Sequence, residues 1–182
     1  MNNKETWKLA SYQLIVHIGV ADLVQLSLNG LVGGVFSLCQ TDFGFTLNKI
    51  VGGIMNSMGW ILYITVADLL AWNRCLLTYR PTMAKWLFTV RNTRLMLAAC
   101  WSYGLVWMIT YMVPDFDMVY NHREHSWNYG ETPSSATMST VELVQDAIHS
   151  VSMVVCYTAI FYKLAQQEPV HFDTISRSVS TS

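Results

Sequence analysis

Charge is what this 182-residue sequence has least of. Only 13% of its residues are Asp, Glu, Lys or Arg, about half of what a soluble chain carries, roughly 25%. The shortage excludes an ordinary soluble domain, and a net charge of -1 with no basic stripe excludes a nucleic-acid surface. Cysteine is nearly as informative. Cys39, Cys75, Cys100 and Cys156 have no metal-site spacing, form no redox pair, and suggest no disulfide framework. Three of them lie in apolar stretches, where a thiol packs as a small apolar group. The N-terminus has no short apolar core followed by a small-residue cleavage site, so membrane insertion is expected to start with the first span itself. There is no Asn-x-Ser/Thr sequon, no phosphate loop and no nucleophile paired with a base. An enzyme reading therefore has no support, and no cofactor is expected.

What is present is apolar and segregated. Apolar residues make up 52% of the chain, with seven Trp and ten Met, and mean hydropathy is positive. Four stretches stand out: 9–38, 50–78, 95–114 and 141–164. Each is long enough to cross a bilayer, which takes roughly 20 apolar residues. The first contains one formal charge, Asp22, and the third none; Pro114 marks the third's end. The fourth is the weakest, because Glu142, Gln145, Asp146 and His149 occupy its first third. None of the runs alternates in polarity as barrel strands do. The fold class is therefore an all-α membrane protein with four transmembrane helices. Residues 1–165 form the bundle, and the Ser/Thr-ending stretch 166–182 reads as a disordered cytoplasmic tail.

Lys4, Lys8, Arg74, Arg80, Lys85, Arg91, Arg94, Lys163 and Arg177 all fall on one side of a four-span chain; only Lys49 and Arg123 fall on the other. The positive-inside rule then places both termini and the loop between the second and third spans in the cytoplasm of a multi-pass protein.

Ionisable groups within spans are expensive to keep, so they are the functional candidates. Asp22 is either a buried hub that binds a cation or changes protonation, or a carboxyl held by Ser27 and Asn29. Asp68, about 9 Å of helix before Arg74, is more readily structural. Asn73-Arg74-Cys75 closes the second span, where an arginine also simply snorkels to the headgroups. Glu142, Asp146 and His149 follow one another at spacings of four and three, which puts them on one helix face. They either line a ligand cavity or form a wet helix start. His17, His122, His125, His149 and His171 are too scattered for a zinc site. Gly30, Gly33, Gly34, Gly52, Gly53, Ser57 and Gly59 permit close helix approach.

In order along the chain, these landmarks resemble a rhodopsin-like seven-helix receptor. Gly19-Val20-Ala21-Asp22-Leu23 is similar to the Leu-Ala-x-x-Asp-Leu pattern of such a receptor's second helix. Asn73-Arg74-Cys75 stands where the family has Asp-Arg-Tyr, and Pro81 follows Arg74 by seven residues as the second cytoplasmic loop's proline does. Trp101 matches the fourth-helix tryptophan. Tyr157, Ile160 and Leu164 match the fifth-helix pattern Tyr-x-x-Ile-x-x-x-Leu. The texture resembles nematode serpentine chemoreceptors. Leu69-Leu70-Ala71-Trp72-Asn73-Arg74-Cys75-Leu76 is similar to the Leu-Leu-x-x-Asn-Arg-x-Leu signature of the Srt class, with Srx the neighbouring class.

The resemblance implies a chemosensory receptor in which an external small molecule biases the bundle toward a state read by a heterotrimeric G protein in the membrane. Arg74 would meet the G protein, Tyr157 would steady it, and Asp22 would belong to a buried polar switch. Glu142, Asp146 and His149 would border the ligand cavity. Four departures stand beside it. Lys49 stands near the place of the third-helix cysteine, and the loop 115–140 has no cysteine, so the usual loop disulfide cannot form. His149 takes the place of the fifth-helix proline. Asn73 replaces the acid that would restrain the arginine. The spans correspond to helices two to five, so the sequence reads as a fragment of a receptor. The rival reading is a self-contained four-helix transport or scaffold protein, which leaves the ordered series of landmarks as coincidence.

Overall fold

The computed structural model describes the backbone of residues 3–41 and 43–179 and the side chains of 10–41 and 43–166. Lys4, Lys8 and Arg177, counted for orientation, therefore lie outside the described side chains. Four long helical rods are present, each apolar enough to cross a membrane: Ala10–Cys39, Phe45–Tyr79, Val90–Met112 and Pro133–Gln166. The first span comprises α1 (Asn3–Gln25), a π-helical stretch (Leu26–Val32) and α2 (Gly33–Cys39). The second comprises α3 (Phe45–Ile54), a π-helical stretch (Met55–Ile61) and α4 (Leu62–Tyr79). A short α5 (Pro81–Leu87) leads into the third span, α6 (Val90–Met112). The fourth span lies within α7 (Pro133–Val179). Past Gln166 only the helical backbone to Val179 is described, and residues 180–182 lie outside it, so the expected tail falls largely on residues whose side chains are not described.

Local chemistry sets the helix ends. Gln40 takes a left-handed backbone at the end of α2, and Gly44, at φ 98°, opens α3. That φ favours a residue without a Cβ. Thr89 caps α6 by accepting a hydrogen bond from the Asn92 amide at 3.2 Å, so this helix begins five residues before the apolar run at Leu95. It ends at Met112 because Val113 precedes Pro114 and is held extended. Thr132 caps α7 by accepting from the Ser135 amide at 3.1 Å, with Pro133 in the first helical position. Hydropathy placed the start of this span at Val141; the cap places it eight residues earlier, and the polar first turns explain the difference.

The second span is the axis of the bundle: 61% of its most apolar window is buried inside the protein, against 6% for the first and fourth spans. Leu14 and Ala21 of the first span and Leu97 of the third close on Met58, Leu62, Val66 and Leu70 of the second. Toward the other end, Trp107, Tyr111 and Met118 close on Met55 and Ile61. Gly59 lets the first span come within contact of the second, since a Cβ there would lie 3.2 Å from the Gln25 Cα.

The loop between the third and fourth spans is more ordered than its composition implied. Met118–Asn121 and Ser126–Tyr129 form an antiparallel hairpin, β1 and β2, pairing Met118 with Tyr129 and Asn121 with Ser126. Among the described residues, this two-stranded sheet stands alone beside the helices.

Candidate functional site

The hairpin is fastened to the first and second spans by side chains. Asn48, 2% exposed, imitates a neighbouring strand: its Nδ2 donates to the Tyr120 carbonyl at 2.9 Å and its Oδ1 accepts from the Tyr120 amide at 2.7 Å. Beside it, Lys49 pairs with Asp117 at 2.6 Å and donates to the Val113 carbonyl at 2.7 Å. These bonds sit where a rhodopsin-like receptor usually has its loop disulfide, which this sequence cannot form. A lysine and an asparagine supply the tether instead. Ser37 of the first span meets the Tyr120 hydroxyl at 2.5 Å and His125 Nδ1 at 3.0 Å, and Trp127 Nε1 donates to Asn29 Oδ1 at 3.2 Å. At Gly52 the hairpin backbone comes closer than any side chain allows, since a Cβ would lie 2.1 Å from the Met118 carbonyl oxygen.

Beneath the hairpin, polar groups of three spans converge. Asn56 Nδ2 donates to the Tyr111 hydroxyl at 2.6 Å and to Glu142 Oε2 at 2.7 Å, and the Tyr129 hydroxyl lies 3.3 Å away. The Tyr111 and Tyr129 hydroxyls are 2.9 Å apart. One turn further along, Trp60 Nε1 donates to Asp146 Oδ2 at 2.9 Å, while Asp146 Oδ1 is buried with no hydrogen-bond partner. Tyr103 of the third span hydrogen-bonds Gln145. Both acids are thus held by neutral donors, Glu142 by Asn56 and Tyr111 and Asp146 by Trp60. Among the described residues, no Lys or Arg pairs with either acid; the ion pairs found are Lys49–Asp117 and His149–Asp68.

The polar rungs continue down the contact between the second and fourth spans. His149 Nδ1 lies 3.0 Å from Asp68 Oδ2, Ser152 donates to Asp68 Oδ1 at 2.7 Å, and Trp72 Nε1 donates to Ser152 at 2.9 Å. The thiols of Cys75 and Cys156 then meet. Lower still, the Tyr79 hydroxyl donates to the Ala159 carbonyl at 2.6 Å, and Lys163 hydrogen-bonds the Thr78 carbonyl.

Residues 12–180 match the model of the serpentine type 7TM GPCR chemoreceptor Srx family. The chain belongs to that family. Of the two neighbouring classes the residue patterns suggested, the match is to Srx. No curated protein matches the chain. The Srx family is a family of receptors rather than enzymes, and its seven-span plan agrees with four apolar rods in this chain.

Within that family frame, the residues singled out from sequence land as follows. Glu142 and Asp146 come together with Asn56 and Trp60, whereas His149, on the same face, turns to Asp68. Asp22 is half-buried and borders a groove of about 640 Å³ with Gln25, Leu26, Asn29 and Gly30. Neither Ser27 nor Asn29 hydrogen-bonds its carboxyl; Asn29 is taken by Trp127. Asn73 is fully buried, accepting from Ser11 at 2.9 Å through Oδ1 while its Nδ2 has no partner. Arg74 is exposed and makes no ion pair, and Tyr157, 44% exposed, makes no hydrogen bond to it among the described residues. Trp101 donates to His17 Nδ1 at 3.0 Å. Sequence reasoning passed over Asn48, Asn56, Trp60, Tyr111 and Tyr129. Asn56 alone carried a readable signal, an amide in the apolar run Ile54–Ile64, where a polar group needs a partner.

Proposed function

We propose that this chain binds an external small molecule at the hairpin end and passes the event to a G protein at the Arg74 end. The carrying observation is the cluster of Asn56, Trp60, Tyr111, Tyr129, Glu142 and Asp146 under a tethered hairpin, in a chain of a chemoreceptor family. The nine-to-two distribution of basic residues supports an orientation with the hairpin outside and both termini in the cytoplasm. In this reading the four spans stand for helices two to five of the receptor bundle. A ligand that takes up the donors now given to Glu142 and Asp146 changes the contact between the second and fourth spans. That contact runs on through Asp68 and Cys75 to Arg74, where Tyr157 supports the arginine in the signalling state and Asp22 belongs to the polar switch.

The test uses the receptor expressed from its full transcript, with a chemical library as stimulus and G-protein activation as readout. Arg74→Ala is expected to abolish activation while surface expression persists, and Glu142→Gln with Asp146→Asn to raise the effective concentration of an active compound at least tenfold. Signalling unchanged by Arg74→Ala removes the assigned output; responses unchanged by the two acid substitutions move the ligand elsewhere.

A further inference from the structure

Asp68 sits in the membrane-spanning part of the second span with both carboxylate oxygens committed to the fourth: Oδ2 to His149 Nδ1 at 3.0 Å, Oδ1 to Ser152 at 2.7 Å. The Asp68 side chain is 15% exposed and that of His149 20%. No Lys or Arg ion-pairs with Asp68 among the described residues. Of the other titratable groups on the helices packed here, the Cys156 thiol lies within electrostatic reach of Asp68, and Glu142 is bonded by Asn56 and Tyr111. Asp146, a turn toward the hairpin, is bonded by Trp60; Cys156 meets Cys75; Tyr103 of the third span is bonded to Gln145; and Cys100 lies beside Thr65. On the first span, His17 is bonded by Trp101 and Asp22 faces its own groove. On the far side, Arg74 is exposed and Lys163 is bonded to the Thr78 carbonyl. Among the described residues, the His149 imidazole is the basic group that pairs with this carboxylate.

The pair has two electrically neutral forms, imidazolium with carboxylate and imidazole with carboxylic acid, and both contain one more proton than imidazole with carboxylate. That proton belongs to the pair as a unit. Releasing it to water leaves a net negative charge between two helices in a medium where uncompensated charge is costly. The hydrogen bond then loses the Coulomb attraction that made it strong. We propose that Asp68 and His149 form a proton-operated latch that holds the fourth span on the second while protonated and loosens when the proton leaves. Ser152, clamped by Trp72, fixes the carboxylate so that the imidazole is the moving partner. Seven residues beyond each partner, Cys75 and Cys156 lie in register on the same contact, which gives the latch a native reporter.

The inference needs no ligand and no G protein, so it stands or falls apart from the functional reading. The full chain in lipid nanodiscs, with ¹⁵N-labelled histidine, is measured between pH 5.5 and 8. The protonation state of the His149 ring is read from its ring-nitrogen shifts at each pH. The melting temperature should fall by roughly 3 °C, and the yield of oxidant-formed Cys75–Cys156 disulfide, read by mass spectrometry, should fall relative to a His149→Gln control at each pH. His149→Gln keeps a donor but carries no titrating proton, and its melting temperature is expected to change less with pH than that of the wild type. If that variant does not fold, Asp68→Asn serves: the imidazole then has no carboxylate to balance, so the fall in melting temperature with rising pH is expected to disappear. A His149 ring that keeps one protonation state throughout overturns the latch, as does a wild-type pH profile matching that of the variant.

Discussion

The two ends of the bundle are built on opposite plans. At the hairpin end polar side chains tie elements together: Asn48, Lys49, Asn56, Tyr111, Asp117 and Tyr120 each hold a neighbouring element. At the Arg74 end the arginine is exposed and makes no ion pair among the described residues, and Asn73 spends its oxygen on Ser11. The family resemblance was written mostly in the bare end, in Asn73-Arg74-Cys75 and Pro81. The architecture is written in the dense end, which carries no recognisable motif. A surface kept open for a partner needs specific residues with few internal partners, whereas a tether needs many partners and tolerates many residue types.

The contrast is most sharply broken at Gly52. Gly52→Val is expected to destabilise the fold by about 3 kcal/mol, because the Met118 carbonyl is backbone and cannot rotate away; surface expression and thermal melting report the loss, and wild-type values would show the hairpin is not seated there. Lys49→Met follows, at about 2 kcal/mol, since it leaves Asp117, 13% exposed, without its cation. Asp117→Asn in the same chain is expected to recover part of the loss in a double-mutant cycle. A reducing agent, by contrast, is expected to leave melting unchanged, because salt bridge and amide do what a disulfide would do. Ser11→Ala should cost about 1 kcal/mol by leaving Asn73 with no partner at either side-chain atom. Smallest of all, Arg74→Ala is expected to leave the melting temperature where it was while signalling disappears. A large stability loss there would mean the bare end is structural after all.

Much of the bundle was legible in the sequence because hydrophobicity is a bulk property: four apolar runs separated by basic clusters can be counted without knowing any contact. The grouping of Glu142, Asp146 and His149 on one face was likewise legible from helical spacing. Which neighbour each faces was not. His149 pairs with Asp68 and Glu142 with Asn56 only because the second and fourth spans run side by side, a relation between residues 81 and 86 positions apart. The start of the fourth span at Pro133 was hidden for a different reason: its cap is polar, and a hydropathy window rewards only the greasy part. The hairpin was hidden because its strands are only four residues each, too short to show an alternation, and because it is held by Asn48 and Gly52, some seventy residues away.

The π-helical stretch Met55–Ile61 has one more effect. Its hydrogen bonds reach one residue further than those of an α-helix, so it behaves as an inserted residue that the rod has absorbed. A helical wheel drawn with a single period through the second span is therefore out of phase on one side of this stretch. Asn48 and Asn56 cannot be put on a common wheel with Asp68 and Trp72. A one-residue deletion placed inside the stretch is the length change this rod can take up locally, tightening the coil where the same deletion elsewhere would turn every rung below it away from its partner.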